Sequence, residues 1–132
     1  MGKRYLIDTN VVTKYLTEEL SENGLDLIDS IIDAGDAQIS VISRIELLGF
    51  APKSDHLAQF IKQFLQISNE FGIAEDIVQK TIEIRKAYRI KIPDAIIAAT
   101  ALTSDLILLS DNDSDFGKVS GLKYINPRKY TL

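Results

Sequence analysis

Short apolar runs alternate along this chain with longer stretches whose apolar residues recur at helical spacing. Residues 4–7 (RYLI) are a compact apolar run that stops at Asp8-Thr9-Asn10. That is the pattern of a buried strand delivering polar side chains at its carboxyl end. Over residues 11 to about 20, Val12, Tyr15 and Leu16 fall on one helical face, with Thr9 or Asn10 as the cap. Ser21 to Gly24 break that pattern, and Leu25, Ile28 and Ile32 carry a second helix that ends at Gly35. Residues 37–42 (AQISVI) are short and β-branched and predict a second strand. Ser43 then caps a helix with Glu46 in its first turn, closed by Gly49 and Pro52.

The second half repeats the alternation. Residues 55–66 are amphipathic through Leu57, Phe60, Ile61 and Phe64, and residues 67–73 are compatible with a short third strand. Residues 75 to about 88 are the clearest helix, with Ile77, Thr81, Ile84 and Tyr88 along one face. Ile92-Pro93 predicts an extended entry, because a residue before proline avoids the α region, and Asp94 opens an Ala-rich helix. Residues 106–109 are another apolar strand that ends in a polar stretch, Ser110 to Phe116, and residues 123–125 are a last strand. Parallel neighbours need crossover connections, so this order predicts an α/β fold. We expect one domain over residues 1–132, a central parallel sheet of about four to five strands with helices on both faces.

Composition narrows the chemistry. The chain has 132 residues, 45% of them apolar and 26% charged, as in globular domains. It has neither a run long enough to span a membrane nor an N-terminal h-region, which leads us to expect a cytoplasmic protein without a membrane partner. Cysteine is absent and His56, at the start of a helix, is the single histidine, so any metal must be held by oxygen. The net charge of −4 has the wrong sign for gripping nucleic acid by bulk electrostatics. A polyanionic substrate needs a local basic rim or bridging cations.

Acids punctuate the strand ends, where open α/β sheets gather functional groups. Asp8 follows the first strand, Glu46 the second, and Asp111, Asp113 and Asp115 the run at 106–109, while Asp94 sits at a helix N-terminus. Each has an ordinary reading as a capping, first-turn or loop acid. Together they describe carboxylates that repel unless a cation shares the site. Hard oxygen ligands select Mg²⁺ or Mn²⁺, and Mg²⁺ takes one or two protein carboxylates while keeping waters.

The ordered phrases LIDTN, SRIELLGF, KIPDAIIAATAL and LLSDNDSDF resemble the PIN domain along nearly the whole chain. The resemblance implies a small parallel sheet flanked by helices and carries the family's N-terminal Asp, third-helix Glu and helix-opening Asp onto Asp8, Glu46 and Asp94. The family's last polar loop falls on Asn112 and Asp115, with Ser110 in place of the usual Thr and Asp113 as the alternative fourth acid. The chain is most similar to the VapC-type toxins. That likeness implies an endoribonuclease acting on tRNA or ribosomal RNA, restrained by a VapB-like antitoxin and forming homodimers.

On this reading Asp8 and Asp94 anchor Mg²⁺, or Mn²⁺ as a substitute, while Glu46 and Asp115 complete the site. Thr9, Asn10, Ser110 and Asn112 orient ligands and waters around them. Lys14, Arg44 and Lys118 are the candidate RNA contacts. Two rivals stand beside it. Asp8-Thr9-Asn10 faintly matches the D-x-D signature of haloacid-dehalogenase-like phosphatases, but Asn10 replaces the second acid. A PIN-like module that binds RNA or protein without cutting is the other. A flavodoxin-type nucleotide binder lacks its Gly-rich phosphate loop here.

Overall fold

Short segments form the strands β1 (Tyr5–Ile7), β2 (Ala37–Ser40), β3 (Asn69–Phe71), β4 (Ile107–Leu109) and β5 (Tyr124–Ile125), apolar in β1 and β4 and more polar at β3, in a computed structural model that describes residues 4–132. Residues 1–3, read above for the lack of a leader, lie outside the described residues. Every strand pairing is parallel, in the order β3-β2-β1-β4-β5. The connections carry helices α1 (Thr9–Leu16), α2 (Glu22–Asp33), α3 (Val41–Gly49), α4 (Asp55–Ile67), α5 (Glu75–Ala87), α6 (Ile92–Thr103) and α7 (Asp113–Phe116).

Strand side chains alternate between faces, and each face has its own core. Leu6 and Leu108 pack with Ile77 and Ile84 of α5 and with the alanines of α6. Ile7, Ile39 and Leu109 point the other way, onto α1, α2, α3 and α4 through Val11, Ile28, Leu47 and Phe64. The small residues of α6 let that helix lie close on the sheet: Ala95, Ala98 and Ala99 are fully buried. The five-stranded parallel sheet covered on both faces agrees with the α/β expectation. Among the described residues, no helix is long and apolar enough to cross a membrane.

Helix starts differ from the sequence reading at several points, each for a local reason. Asp8, rather than Thr9 or Asn10, caps α1 by accepting from the Thr9 N–H. Ser21 opens α2 instead of breaking a helix, its Oγ accepting from the Gly24 N–H at 3.0 Å. Ser40, not Ser43, caps α3 by accepting from the Ile42 N–H at 3.1 Å. β2 therefore ends earlier than predicted, and Glu46 moves from the first turn of α3 to its second. The extended residue before α6 is Lys91, with Pro93 inside the first turn. The polar stretch after β4 is partly helical, since Asn112 caps the single turn of α7.

Candidate active site

From β1 the chain builds β2 and β3 to one side, while β4 and β5 lie on the other. The crevice between the carboxyl ends of β1 and β4 is thus the topological switch point of the sheet, where α/β folds seat ligands. Asp8 immediately follows β1 and Ser110 immediately follows β4. The Asp8 N–H donates to the Leu109 carbonyl at 3.0 Å, which pins the two strand ends together. Ser110 Oγ donates to Asp8 Oδ2 at 2.8 Å, and the Thr9 N–H donates to Asp8 Oδ1 at 2.9 Å. Asp8 is only 4% exposed.

The electrostatics link this carboxylate to the other predicted acids. Burial pushes the Asp8 acid from 3.8 up to about 6; the hydrogen bonds from Ser110 and Thr9 oppose the rise, and the negative charges of Asp94 and Glu46 add to it. Asp94, in the first turn of α6, is also raised, first by burial and then by the charges of Asp115 and Glu46, with Lys91 opposing. Asp8 thus feels the charges of Asp94 and Glu46, and Asp94 feels those of Glu46 and Asp115. Among the described residues, no ion pair joins Asp8, Glu46 or Asp94 to a base, whereas Asp115 has Lys118 Nζ at 3.7 Å.

The supporting residues tie these acids to the backbone. Thr9 Oγ1 lies 2.7 Å from Glu46 Oε1 and 2.9 Å from Ser43 Oγ. Asn112 Oδ1 accepts from the Asp115 N–H at 3.2 Å and its Nδ2 donates to Asp115 Oδ2 at 3.0 Å, so Asn112 fixes the acid rather than acting alone. Ser110 Oγ also accepts from the Asn112 N–H at 3.0 Å, connecting this turn to Asp8. Asn10 and Thr13 line a groove of about 400 Å³ that opens beside Glu46 and is walled by Leu47, Phe50 and Leu57.

The remaining candidates sit apart. Asp113 is turned toward the C-terminal segment, where Lys129 Nζ lies 2.7 Å away and Asn126 Nδ2 donates at 3.2 Å. The hydrogen bond from Lys129 is the main reason its carboxyl is held low. Asp111 pairs with Lys14 and has Arg128 Nη1 at 3.9 Å on the same oxygen, Oδ2. Arg44 pairs with Glu70 at β3. Residues two apart on a helix face opposite ways, so Arg44 points away from Glu46. His56 stacks edge-on against Phe60 at 4.4 Å on the surface. Sequence reasoning missed Ser43 and Arg128. Ser43 had a signal, its place one turn before Glu46 on the same helical face; Arg128 had none locally.

Among the described residues, no three His, Asp or Glu side chains stand close enough together to form a ready-made ligand set. The donor chemistry nevertheless fits a hard divalent cation. All the donors are carboxylate oxygens, and Asp8 is a buried acid whose charge has no basic partner. Mg²⁺ and Mn²⁺ are satisfied by one or two such groups with waters filling the other positions, so an open arrangement suits them better than a closed cage.

The family model of the PIN domain matches residues 5–122. No curated protein sequence matches the chain. Among solved structures it is similar to a toxin–antitoxin complex from Klebsiella pneumoniae, 28% identical with a TM-score of 0.71, covering 97% of this chain and 99% of that one. FitAcB from Neisseria gonorrhoeae is 22% identical with a TM-score of 0.77, over 96% of this chain and 99% of that one. DNA-bound VapBC from Salmonella typhimurium is 19% identical with a TM-score of 0.76, over 94% and 98%. The last two likenesses establish a common fold.

Proposed function

The chain belongs to the PIN domain family, and from that premise we propose that it is a VapC-type toxin, an endoribonuclease that depends on Mg²⁺ or Mn²⁺. The observation that supports this reading is Asp8, buried at the carboxyl end of β1 with no basic partner among the described residues and with the charges of Asp94 and Glu46 acting on it. Asp8 and Asp94 hold the cation directly or through water, and Glu46 and Asp115 complete the site. A cation held there supplies Lewis acidity, lowering the pKa of water and balancing charge on a phosphodiester. Ser110 and the Thr9 N–H fix the angle of the Asp8 carboxylate, and Asn112 fixes that of Asp115.

Substrate binding needs positive charge near this acidic crevice. Lys14 and Arg128 converge on one oxygen of Asp111, and one carboxylate neutralises only one of them. The excess charge lies beside Ser110 and suits a backbone phosphate of tRNA or ribosomal RNA. The groove beside Glu46 combines an apolar wall with Glu19 and Glu46, which suits a VapB-like antitoxin segment bearing apolar and basic side chains. Ile45 and Leu48 of α3 are exposed and support a homodimer. In this reading the protein works as one domain in the cytoplasm, where its RNA and antitoxin are found.

The test is incubation of tRNA and ribosomal RNA with the purified protein in Mg²⁺, Mn²⁺ or EDTA. Discrete internal cuts are expected with either ion, lost in EDTA and lost in an Asp94→Asn variant that keeps its circular dichroism spectrum. RNA that binds yet stays intact with both ions would replace this reading by the non-catalytic module.

A further inference from the structure

Glu46 reaches the crevice from an exposed stretch of α3, on a side chain with three rotatable bonds. Left alone, such a side chain samples many rotamers, and ordering it costs free energy. Its carboxylate instead ends 2.7 Å from Thr9 Oγ1, and Thr9 Oγ1 lies 2.9 Å from Ser43 Oγ. A carboxylate only accepts, and a threonine hydroxyl carries one proton. Thr9 therefore donates to Glu46, and its free lone pair accepts the proton of Ser43. Ser43 is fully buried, so its hydroxyl has no water to turn to.

We propose that Ser43 is a positioning residue for Glu46, acting through Thr9 to hold that carboxylate at the cation site. The polarity of the chain is fixed: Ser43 to Thr9 to Glu46. Thr9 is also the residue whose N–H holds Asp8 Oδ1 at 2.9 Å, so one residue sets the spacing between the two acids. Its branched β-carbon restricts χ1, which makes it a stiff bracket once its hydroxyl is oriented. Ser43 and Glu46 are one turn apart on α3, and both face α1. Without the Ser43 proton, the Thr9 hydroxyl still donates to Glu46 but loses the second contact that fixes its direction, so Glu46 is held less firmly.

The inference rests on the divalent-cation reading of the site, and the experiment separates the two. Mn²⁺ binding is measured by the electron paramagnetic resonance signal of the free ion, with no RNA present. Ser43→Ala should weaken Mn²⁺ binding about tenfold, the low end of what removing an outer hydrogen-bond partner costs. Ser43→Thr should return it to within about threefold of the starting protein, since the hydroxyl is restored. Thr9→Val should weaken binding too, and adding Ser43→Ala to it should change nothing further, because both act through one path. Should Ser43→Ala not fold, Ser43→Cys takes its place in the cycle, since it keeps the volume with a far weaker donor. Mn²⁺ affinity unchanged by loss of the Ser43 hydroxyl, or losses that add across the cycle, would overturn the inference. A starting protein that takes up no Mn²⁺ overturns the cation reading and this inference with it.

Discussion

Replacing Asp8 with asparagine asks whether the charge at the centre of the crevice is a liability in the cation-free protein. The carboxyl is 4% exposed and its acid is raised from 3.8 to about 6, chiefly by burial. At 1.36 kcal/mol per pH unit, that rise corresponds to about 3 kcal/mol. Between the two values the folded chain holds a proton that the unfolded chain has released. Stability therefore falls as pH rises from about 4 to about 6, and the full penalty is present above that window. An asparagine keeps the shape, accepts the Thr9 N–H through its oxygen and offers its amide to Ser110 Oγ. In EDTA at pH 7.5, Asp8→Asn should thus gain about 2–3 kcal/mol, a rise in melting temperature of roughly 5–10 °C for a domain of this size. The gain should vanish at pH 4, where the acid is already neutral. Saturating Mg²⁺ should raise the melting temperature of the unaltered chain but not that of the variant. Thermal melts followed by circular dichroism at pH 4, 6 and 7.5 decide the matter. A variant no more stable than its parent at pH 7.5, or one with the same gain at every pH, refutes the reasoning.

Other perturbations probe separate parts of the site. Asp115→Asn should lower the rate of RNA cleavage by about 100-fold or more, whereas Asp113→Asn should leave it within about threefold, because Asp115 acts on Asp94 while Asp113 is engaged by Lys129; single-turnover gel assays separate the two. Lys14→Gln and Arg128→Gln should each reduce the slope of log RNA affinity against log salt by about one, with Arg44→Gln without effect because Arg44 is paired at β3. Gly24→Ala places a Cβ 1.9 Å from the Pro127 carbonyl oxygen, so it should cost about 1–3 kcal/mol in urea denaturation as the C-terminal segment is pushed off α2.

What could be read from the sequence follows physical range. The strands were legible because parallel strands buried on both faces are continuous apolar runs, as at Leu6-Ile7 and Leu108-Leu109. Asp8 and Asp94 were legible because each abuts such a strongly patterned segment. The start of α3 was not: Ser40 and Ser43 are both suitable caps, and only the fold shows that β2 ends at Ser40, opposite Phe71 of β3. α7 is a single turn, too short to leave a periodic trace, and it depends on the contact between Asn112 and Asp115. Arg128 reaches Asp111 only because the C-terminal segment folds back across α2 at Ser21 and Gly24, a tertiary event with no local signature.

The contrast among acids bears on what the crevice is for. Asp111, Asp113 and Glu70 each meet a base, as acids that shape a fold do. Asp8 meets none among the described residues, yet it is the most buried, and a domain stabilised by about 5–15 kcal/mol gives up a sizeable part of that to keep it. A module that only binds RNA gains nothing from this cost. A phosphatase built on Asp8 fares no better, because Asn10 stands where that chemistry needs its second acid. A divalent cation removes the cost directly, since its charge favours the ionised form of every acid it touches. The same linkage runs in reverse: protons compete with the cation for Asp8 and, to a lesser degree, Asp94. Mn²⁺ affinity should therefore be nearly constant above pH 7 and fall close to tenfold per unit once the pH drops below about 6. An affinity that holds level from pH 7 to pH 5 would mean that Asp8 does not touch the ion.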